Sequence, residues 1–119
     1  MNKRNELVEV IDKCKDMLLI VEGKRDASAL QALGFSSVFI LNEHSGSLIE
    51  RVERIASSFN KEKEVCLLFD NDTAGRYLIA QAAPILHELG IHINQTLRRT
   101  LIQAGLSHVE GLTTFLKEK

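Results

Sequence analysis

Runs of consecutive apolar residues alternate along the chain with segments in which apolar residues recur every three or four positions. The continuous runs are Met17–Val21, Val38–Leu41 and Val65–Phe69, and Ile91–Gln95 is a weaker fourth. Such runs are typical of parallel strands, because helices cover both faces of a parallel sheet. The periodic segments between them have the spacing of amphipathic helices. The pattern therefore predicts four strands that are separated by helices.

Capping residues and glycines place the ends of the first three helices. The first helix covers residues 5–16. The second starts at Asp26, a residue type that caps helices, and ends at Gly34. The third follows a Ser-x-x-Glu capping box and reaches Phe59, before a charged loop at 60–64.

A longer fourth helix is predicted after the third apolar run. It starts near Thr73 and ends at Gly90. Pro84 lies inside it and predicts a kink or break near residues 80–83, since proline costs about 3 kcal/mol in a helix interior. Two short helices finish the chain, near 97–104 and 108–117.

The alternation of elements predicts an α/β fold. We expect a compact Rossmann-like three-layer domain, in which a four-stranded parallel sheet of order 2-1-3-4 has helices on both faces. A length of 119 residues fits one hydrophobic core. Residues 1–119 are thus expected to form a single domain, with the first helix at 5–16 and the last helices at 97–117 packing on the core.

Composition narrows the classes of protein that fit. The chain is 45% hydrophobic and 26% charged, which is typical of soluble globular proteins. Its longest apolar run is far shorter than the roughly 20 residues of a membrane span, and the first residues lack the apolar region of a secretory signal. We expect no membrane association, a cytoplasmic location, and core positions for Cys14 and Cys66.

Acidic residues stand where two of the predicted strands end. Glu22 follows the first strand, and Asp70 and Asp72 follow the third. The carboxyl ends of parallel strands share one edge, where α/β proteins bind ligands. Carboxylates about 4 Å apart repel by about 4 kcal/mol at an effective dielectric of 20, and binding a cation relieves this. We therefore expect Glu22, Asp70 and Asp72 to hold a divalent cation, and oxygen ligands favour Mg²⁺, with Mn²⁺ as an alternative.

Each acid also has a structural interpretation. Asp72 precedes a helix and could cap it, Asp70 could simply end its strand, and Glu22 could pair with Lys24 or Arg76. Taken singly, these interpretations are stronger than a metal site. Taken together they are weaker, because two central strands end in acids at one edge.

Two motifs resemble those of the Toprim domain. One is Glu-Gly-Lys-Arg-Asp at 22–26, and the other is Asp-Asn-Asp-Thr-Ala-Gly-Arg at 70–76. Toprim domains are shared by type IA and type II topoisomerases, bacterial-type primases, old-family nucleases, recombination mediators and the ribonuclease that matures 5S ribosomal RNA. The resemblance extends from Met17 to about Gln95. The pair of motifs is fairly specific, although either half alone is weak.

The resemblance implies roles for individual residues. Glu22 would act as general acid and base in phosphodiester chemistry, while Asp70 and Asp72 would hold Mg²⁺. The segment Asn42–Ser47 is similar to the Asn-Gly-Ser stretch of the 5S ribosomal RNA maturase. Amide groups at Ser45 and Gly46 could receive a phosphate there, at the start of the third helix.

Basic and aromatic residues near this edge are weaker candidates. Lys24, Arg25 and Arg76 flank the acids and could contact phosphates, or could be solvated charges. Tyr77 is interpreted as an ordinary helix residue. Arg98 and Arg99 could form a second basic contact near the end of the fourth strand, although a solvated face is the favoured interpretation. His44 lies in a loop near the edge, and a catalytic role is its less favoured interpretation. The remaining histidines, His87, His92 and His108, show no ligand spacing.

Two functions remain open at this level. The first is a Mg²⁺-dependent nucleic-acid phosphotransfer domain, most plausibly nuclease-like, that cuts or nicks RNA or DNA. The second is a non-catalytic module that binds nucleic acid or a protein partner involved in processing DNA or RNA. The complete acidic triad favours the first. The net charge of −1 favours the second, because proteins that hold nucleic acid by charge alone are usually basic.

Overall fold

The computed structural model describes residues 2–58 and 63–117, and Phe59 and residues 60–62 of the predicted loop lie outside them. A 3₁₀ turn at Leu41–Glu43 follows the second strand. The nine regular elements of the described residues are α1 Lys3–Lys13, β1 Leu18–Val21, α2 Lys24–Ala32, β2 Val38–Ile40, α3 Leu48–Ser58, β3 Val65–Leu67, α4 Thr73–Glu88, α5 Thr96–Gln103 and α6 Gly111–Lys117.

The strands form a parallel sheet of order β2-β1-β3 within the described residues. The α/β class, the parallel sheet and the order of its first three strands are confirmed. The predicted fourth strand is wrong, because the segment 91–95 makes a single parallel bridge, between Val65 and Ile93. The Asn94 side chain then accepts a hydrogen bond from the Thr96 amide at 2.9 Å, which turns the chain into α5.

The two faces of the sheet are covered by different helices. Alternate strand residues point to opposite faces, so Leu19 belongs to one core and Ile20 to the other. Helices α1, α2, α5 and α6 bury their apolar sides against the first face, and α3 and α4 cover the second. The sheet therefore lies between two layers of helices.

Two helices differ from prediction. Of the kink or break predicted near residues 80–83, the break is wrong, since α4 runs unbroken from Thr73 to Glu88. Proline removes the hydrogen bond to the carbonyl four residues earlier. That residue, Ala80, is exposed, so water can take the place of the missing donor. The cap of α2 is Gly23, whose amide donates to the Asp26 carboxylate at 3.3 Å.

No helix of the described residues has the length and apolar character needed to cross a membrane.

Candidate metal centre

The ends of β1 and β3 bring two of the predicted acids together. The two strands are hydrogen-bonded neighbours, with Ile20 paired to Leu67. Just beyond them, the Glu22 side chain accepts a hydrogen bond from the Asp70 amide, with 3.3 Å between Oε1 and the nitrogen. Glu22 and Asp70 are both partly buried. The carboxyl edge of the sheet thus holds the acids where the strand pattern placed them.

Asp72 has the capping role that its position suggests, with one oxygen left over. It is the N-cap of α4, and its Oδ1 accepts a hydrogen bond from the Gly75 amide at 2.8 Å. A capping bond uses only one of the two carboxylate oxygens. The cap orients Oδ2 of Asp72 without occupying it, so capping and metal binding are compatible at this residue.

Gly75 allows the first turn of α4 to lie against the Asp70 backbone. A Cβ atom at this position would be 1.9 Å from the Asp70 carbonyl oxygen, inside any permitted contact. Gly23, the glycine of the other motif, would place a Cβ in open space. The glycine at position 75 is therefore required for close packing of the acidic loop on its helix.

A segment from the end of the chain closes over the acidic loop. The Val109 amide donates to Asp70 Oδ1 at 2.8 Å, and the Asn71 amide donates to the Ser107 carbonyl at 2.7 Å. Arg98 of α5 donates from Nε to the Phe69 carbonyl at 2.9 Å. Its pKa is lowered by burial and by nearby Arg76. Arg98 is neither a solvated charge nor a free phosphate contact, because it holds the end of β3.

The closing segment adds a candidate ligand that sequence reasoning missed. One potential ligand atom from each of Asp70, Asp72 and His108 lies within 4.8 Å of the other two. The His108 Nε2 is 3.5 Å from Asp72 Oδ2. His108 is 36 residues beyond Asp72 and has no partner at ligand spacing, so no sequence signal pointed to it. Glu22 borders this group without being one of the three converging residues.

These three residues fit a divalent cation. Adjacent ligands of an octahedral ion with bonds near 2.1 Å are about 3 Å apart and opposite ones about 4.2 Å. The observed separations are close to this range, and a small side-chain movement would close the difference. One oxygen of each aspartate is held by a backbone amide, and the other is free to face an ion. An ion would also relieve the repulsion between the carboxylates.

Comparison with known proteins agrees with this geometry. The family model for the Toprim domain matches residues 17–96, which include both motifs and the whole sheet. The chain belongs to the Toprim domain family. Toprim is a metal-binding fold associated with nucleic acids. In this chain, the carboxyl edge of the Toprim sheet, called the Toprim edge below, carries the acids described above.

The relatives of this Toprim protein include small archaeal proteins. It is 29% identical over 121 residues to UPF0292 protein MJ1624 of Methanocaldococcus jannaschii, covering 96% of this chain and 92% of that protein. It is 33% identical over 104 residues to UPF0292 protein Mbar_A0484 of Methanosarcina barkeri, covering 85% and 70%. A solved structure of an Aquifex aeolicus protein has the same fold, with a TM-score of 0.75, 24% identity and coverage of 89% and 94%.

The carboxyl groups of the Toprim edge are electrostatically coupled. The pKa of Glu22 is raised by burial and by the neighbouring charges of Asp70, Asp26 and Asp72, although its hydrogen bond from the Asp70 amide opposes the rise. The pKa of Asp26 is also raised, by burial and by Asp70 and Glu110. The concentration of negative charge is therefore wider than the predicted triad.

Two of the predicted phosphate-binding cations have local partners. Lys24 lies 3.8 Å from Glu43, and Arg76 donates to the Asn71 side chain at 3.3 Å. Arg25 is exposed. Within the described residues, Glu22 has no ion pair with Lys24 or Arg76. The interpretation of Glu22 as an ion-pair partner of these residues therefore does not apply. Contact of Lys24, Arg25 and Arg76 with phosphates stays a prediction.

The predicted phosphate loop at 42–47 is held by contacts with nearby side chains of β2 and α3. The capping box of α3 forms in both directions, with the Ser47 amide donating to Glu50 at 3.0 Å and the Glu50 amide donating to Ser47 Oγ at 3.2 Å. Gly46 has a φ of +103°, and the Ser45 carbonyl accepts from Arg54. The ring of His44 stacks on Phe39. These bonds use two of the amides nearest the helix start, and phosphate binding at Ser45 and Gly46 stays a prediction.

Proposed function

We propose that the protein is a divalent-metal-dependent phosphodiesterase of the nuclease type, acting on RNA or DNA with Mg²⁺ or Mn²⁺. One observation carries this proposal: two carboxylates with free oxygens converge beside a third, partly buried carboxyl group at the Toprim edge. The backbone amides of Gly75 and Val109 fix the two aspartates in advance. Such preorganisation favours binding an ion over simply ending a strand or starting a helix.

The residues divide the chemistry between them. Asp70 and Asp72 would hold the ion, with His108 beside them. When bound, a divalent cation neutralises charge that develops on the phosphate and on the leaving oxygen. Glu22 supports the proton-transfer role, because burial and its acidic neighbours raise its pKa toward the range in which a carboxyl group both takes and releases a proton.

A matched pair of variants tests the role of Glu22. We expect Glu22→Gln to reduce metal-dependent cleavage by about 100-fold or more, the usual contribution of a general acid or base. The amide keeps the oxygen that accepts the Asp70 hydrogen bond, so the fold should survive. The measurement is cleavage of labelled single- and double-stranded RNA and DNA with each metal. Glu53→Gln, at an exposed carboxylate of α3 with no assigned role, is the control.

Equal activity of Glu22→Gln and wild type would overturn the catalytic assignment. Absence of cleavage by wild type on all substrates, together with retained nucleic-acid binding, would support the second function, a non-catalytic binding module. A specific observation favours that alternative: Arg76, Arg98 and Lys24 each have a partner within the protein. Few cations at the edge are then free to hold a substrate, and a partner protein would have to supply them.

A further inference from the structure

His108 is held in place by its two chain neighbours. On one side, the Ser107 carbonyl accepts from the Asn71 amide at 2.7 Å, and on the other, the Val109 amide donates to Asp70 at 2.8 Å. Both partners belong to the loop that carries the acids. The backbone around position 108 is therefore bonded to the acidic loop on both sides, although it lies in a connection between two helices.

The imidazole ring is also oriented. The Ser107 hydroxyl is 2.9 Å from Nδ1, which leaves Nε2 directed toward Asp72 at 3.5 Å. Metal-bound histidines commonly have their second ring nitrogen held in this way. The side chain is 55% exposed, and that of Asp72 is 42% exposed. A pair this exposed adds little stability by itself, so fold stability does not account for the arrangement.

We propose that His108 is a third protein ligand of the ion held by Asp70 and Asp72, and that it makes the site prefer a first-row transition-metal ion to Mg²⁺. This inference rests on the proposed function, in which the two aspartates hold a divalent cation. Mg²⁺ favours oxygen ligands and retains water, whereas imidazole nitrogen favours transition-metal ions. Residues 17–96 match the Toprim family model, and His108 lies outside them. The preference is thus added to the Toprim edge by the end of the chain.

The test is metal binding by the untagged full chain, with Mn²⁺ as the probe. Titration followed by the electron paramagnetic resonance of free Mn²⁺ yields its affinity, and competition yields that of Mg²⁺. We expect wild type to bind Mn²⁺ at least tenfold more tightly than Mg²⁺. We expect His108→Ala to lose about tenfold or more in Mn²⁺ affinity, with less than a threefold change for Mg²⁺. His92→Ala is the control, because His92 is exposed and its carbonyl accepts from the amide of Val65, at the opposite end of β3 from the acids.

A spectroscopic measurement separates direct coordination from a structural effect. Electron spin-echo modulation of bound Mn²⁺ should show a coordinated imidazole nitrogen in wild type and in His92→Ala, and should lose it in His108→Ala. Absence of the nitrogen signal in wild type, or unchanged Mn²⁺ affinity of His108→Ala, would overturn the role of His108 while leaving the two aspartates as ligands. Failure of wild type to bind either ion would instead overturn the metal site on which the proposed function rests.

Discussion

Glu22 has a carboxyl group whose charged form the fold disfavours. Its pKa is raised above 4.5, first by burial and then by the nearby acids. The folded state thus holds this proton more tightly than the unfolded chain does. Stability falls as pH rises from the unfolded pKa through the raised folded pKa, and the full penalty is present above that window. This cost is characteristic of functional sites, where groups are kept in environments that stability alone would not select.

Removing the charge should therefore stabilise the metal-free protein. We expect Glu22→Gln to melt about 2 °C above wild type at pH 7 in EDTA, since a partly exposed group contributes well under 1 kcal/mol. The difference should disappear below about pH 4, where both states are protonated. Thermal melting from pH 3 to 8 makes the measurement, with exposed Glu53→Gln as control. A lower melting temperature for Glu22→Gln at pH 7 would show that the charge of Glu22 strengthens its bond from the Asp70 amide by more than burial and repulsion cost.

At the scale of elements, the site depends on how α4 meets the end of β3. The acidic loop turns back on itself so tightly that the first turn of α4 lies against the Asp70 carbonyl, where Gly75 has no side chain to interfere. Arg98 of α5 holds the Phe69 carbonyl on the strand side. The glycine of the Asp-x-Asp-x-x-Gly motif is thereby explained by packing and needs no role in catalysis.

The two motif glycines should differ sharply in their tolerance of alanine. We expect Gly75→Ala to lower the free energy of unfolding by about 1–3 kcal/mol, because the new Cβ forces the loop away from the helix. Gly23→Ala should cost less than about 1 kcal/mol, since the position is open and its φ is −138°. Equilibrium urea unfolding in EDTA compares them. Equal losses would contradict the packing explanation.

At the scale of the whole molecule, the acidic edge joins three distant parts of the chain. Glu22 comes from the end of β1, Asp70 and Asp72 from the loop after β3, and His108 from the connection between α5 and α6. An ion held by Asp70, Asp72 and His108 would link the last two of these parts only in the folded state. Binding to the folded state alone stabilises a protein by mass action.

Metal should consequently raise the melting temperature of the wild type. With free Mn²⁺ at 100 times its dissociation constant, the gain is about 2.7 kcal/mol. Asp70→Asn combined with Asp72→Asn should abolish the rise. The amides retain the oxygens that accept from Val109 and Gly75, so the double variant should stay folded and be no less stable than wild type in EDTA. A rise that persists in the double variant would place the ion elsewhere.

The sequence by itself determined the α/β class, the three central strands and the strand-end positions of Glu22 and Asp70, because burial on two faces requires continuous apolar runs. It also indicated the Asp72 cap. Only the tertiary structure decided that Ile91–Gln95 makes a single bridge, that Pro84 is tolerated within an exposed turn of α4, and that His108 reaches the acids. Such features depend on contacts between distant segments, and local periodicity does not encode them. Packing of α5 and α6 on the sheet is what brings the imidazole of His108 to an edge that the sequence shows only as acidic.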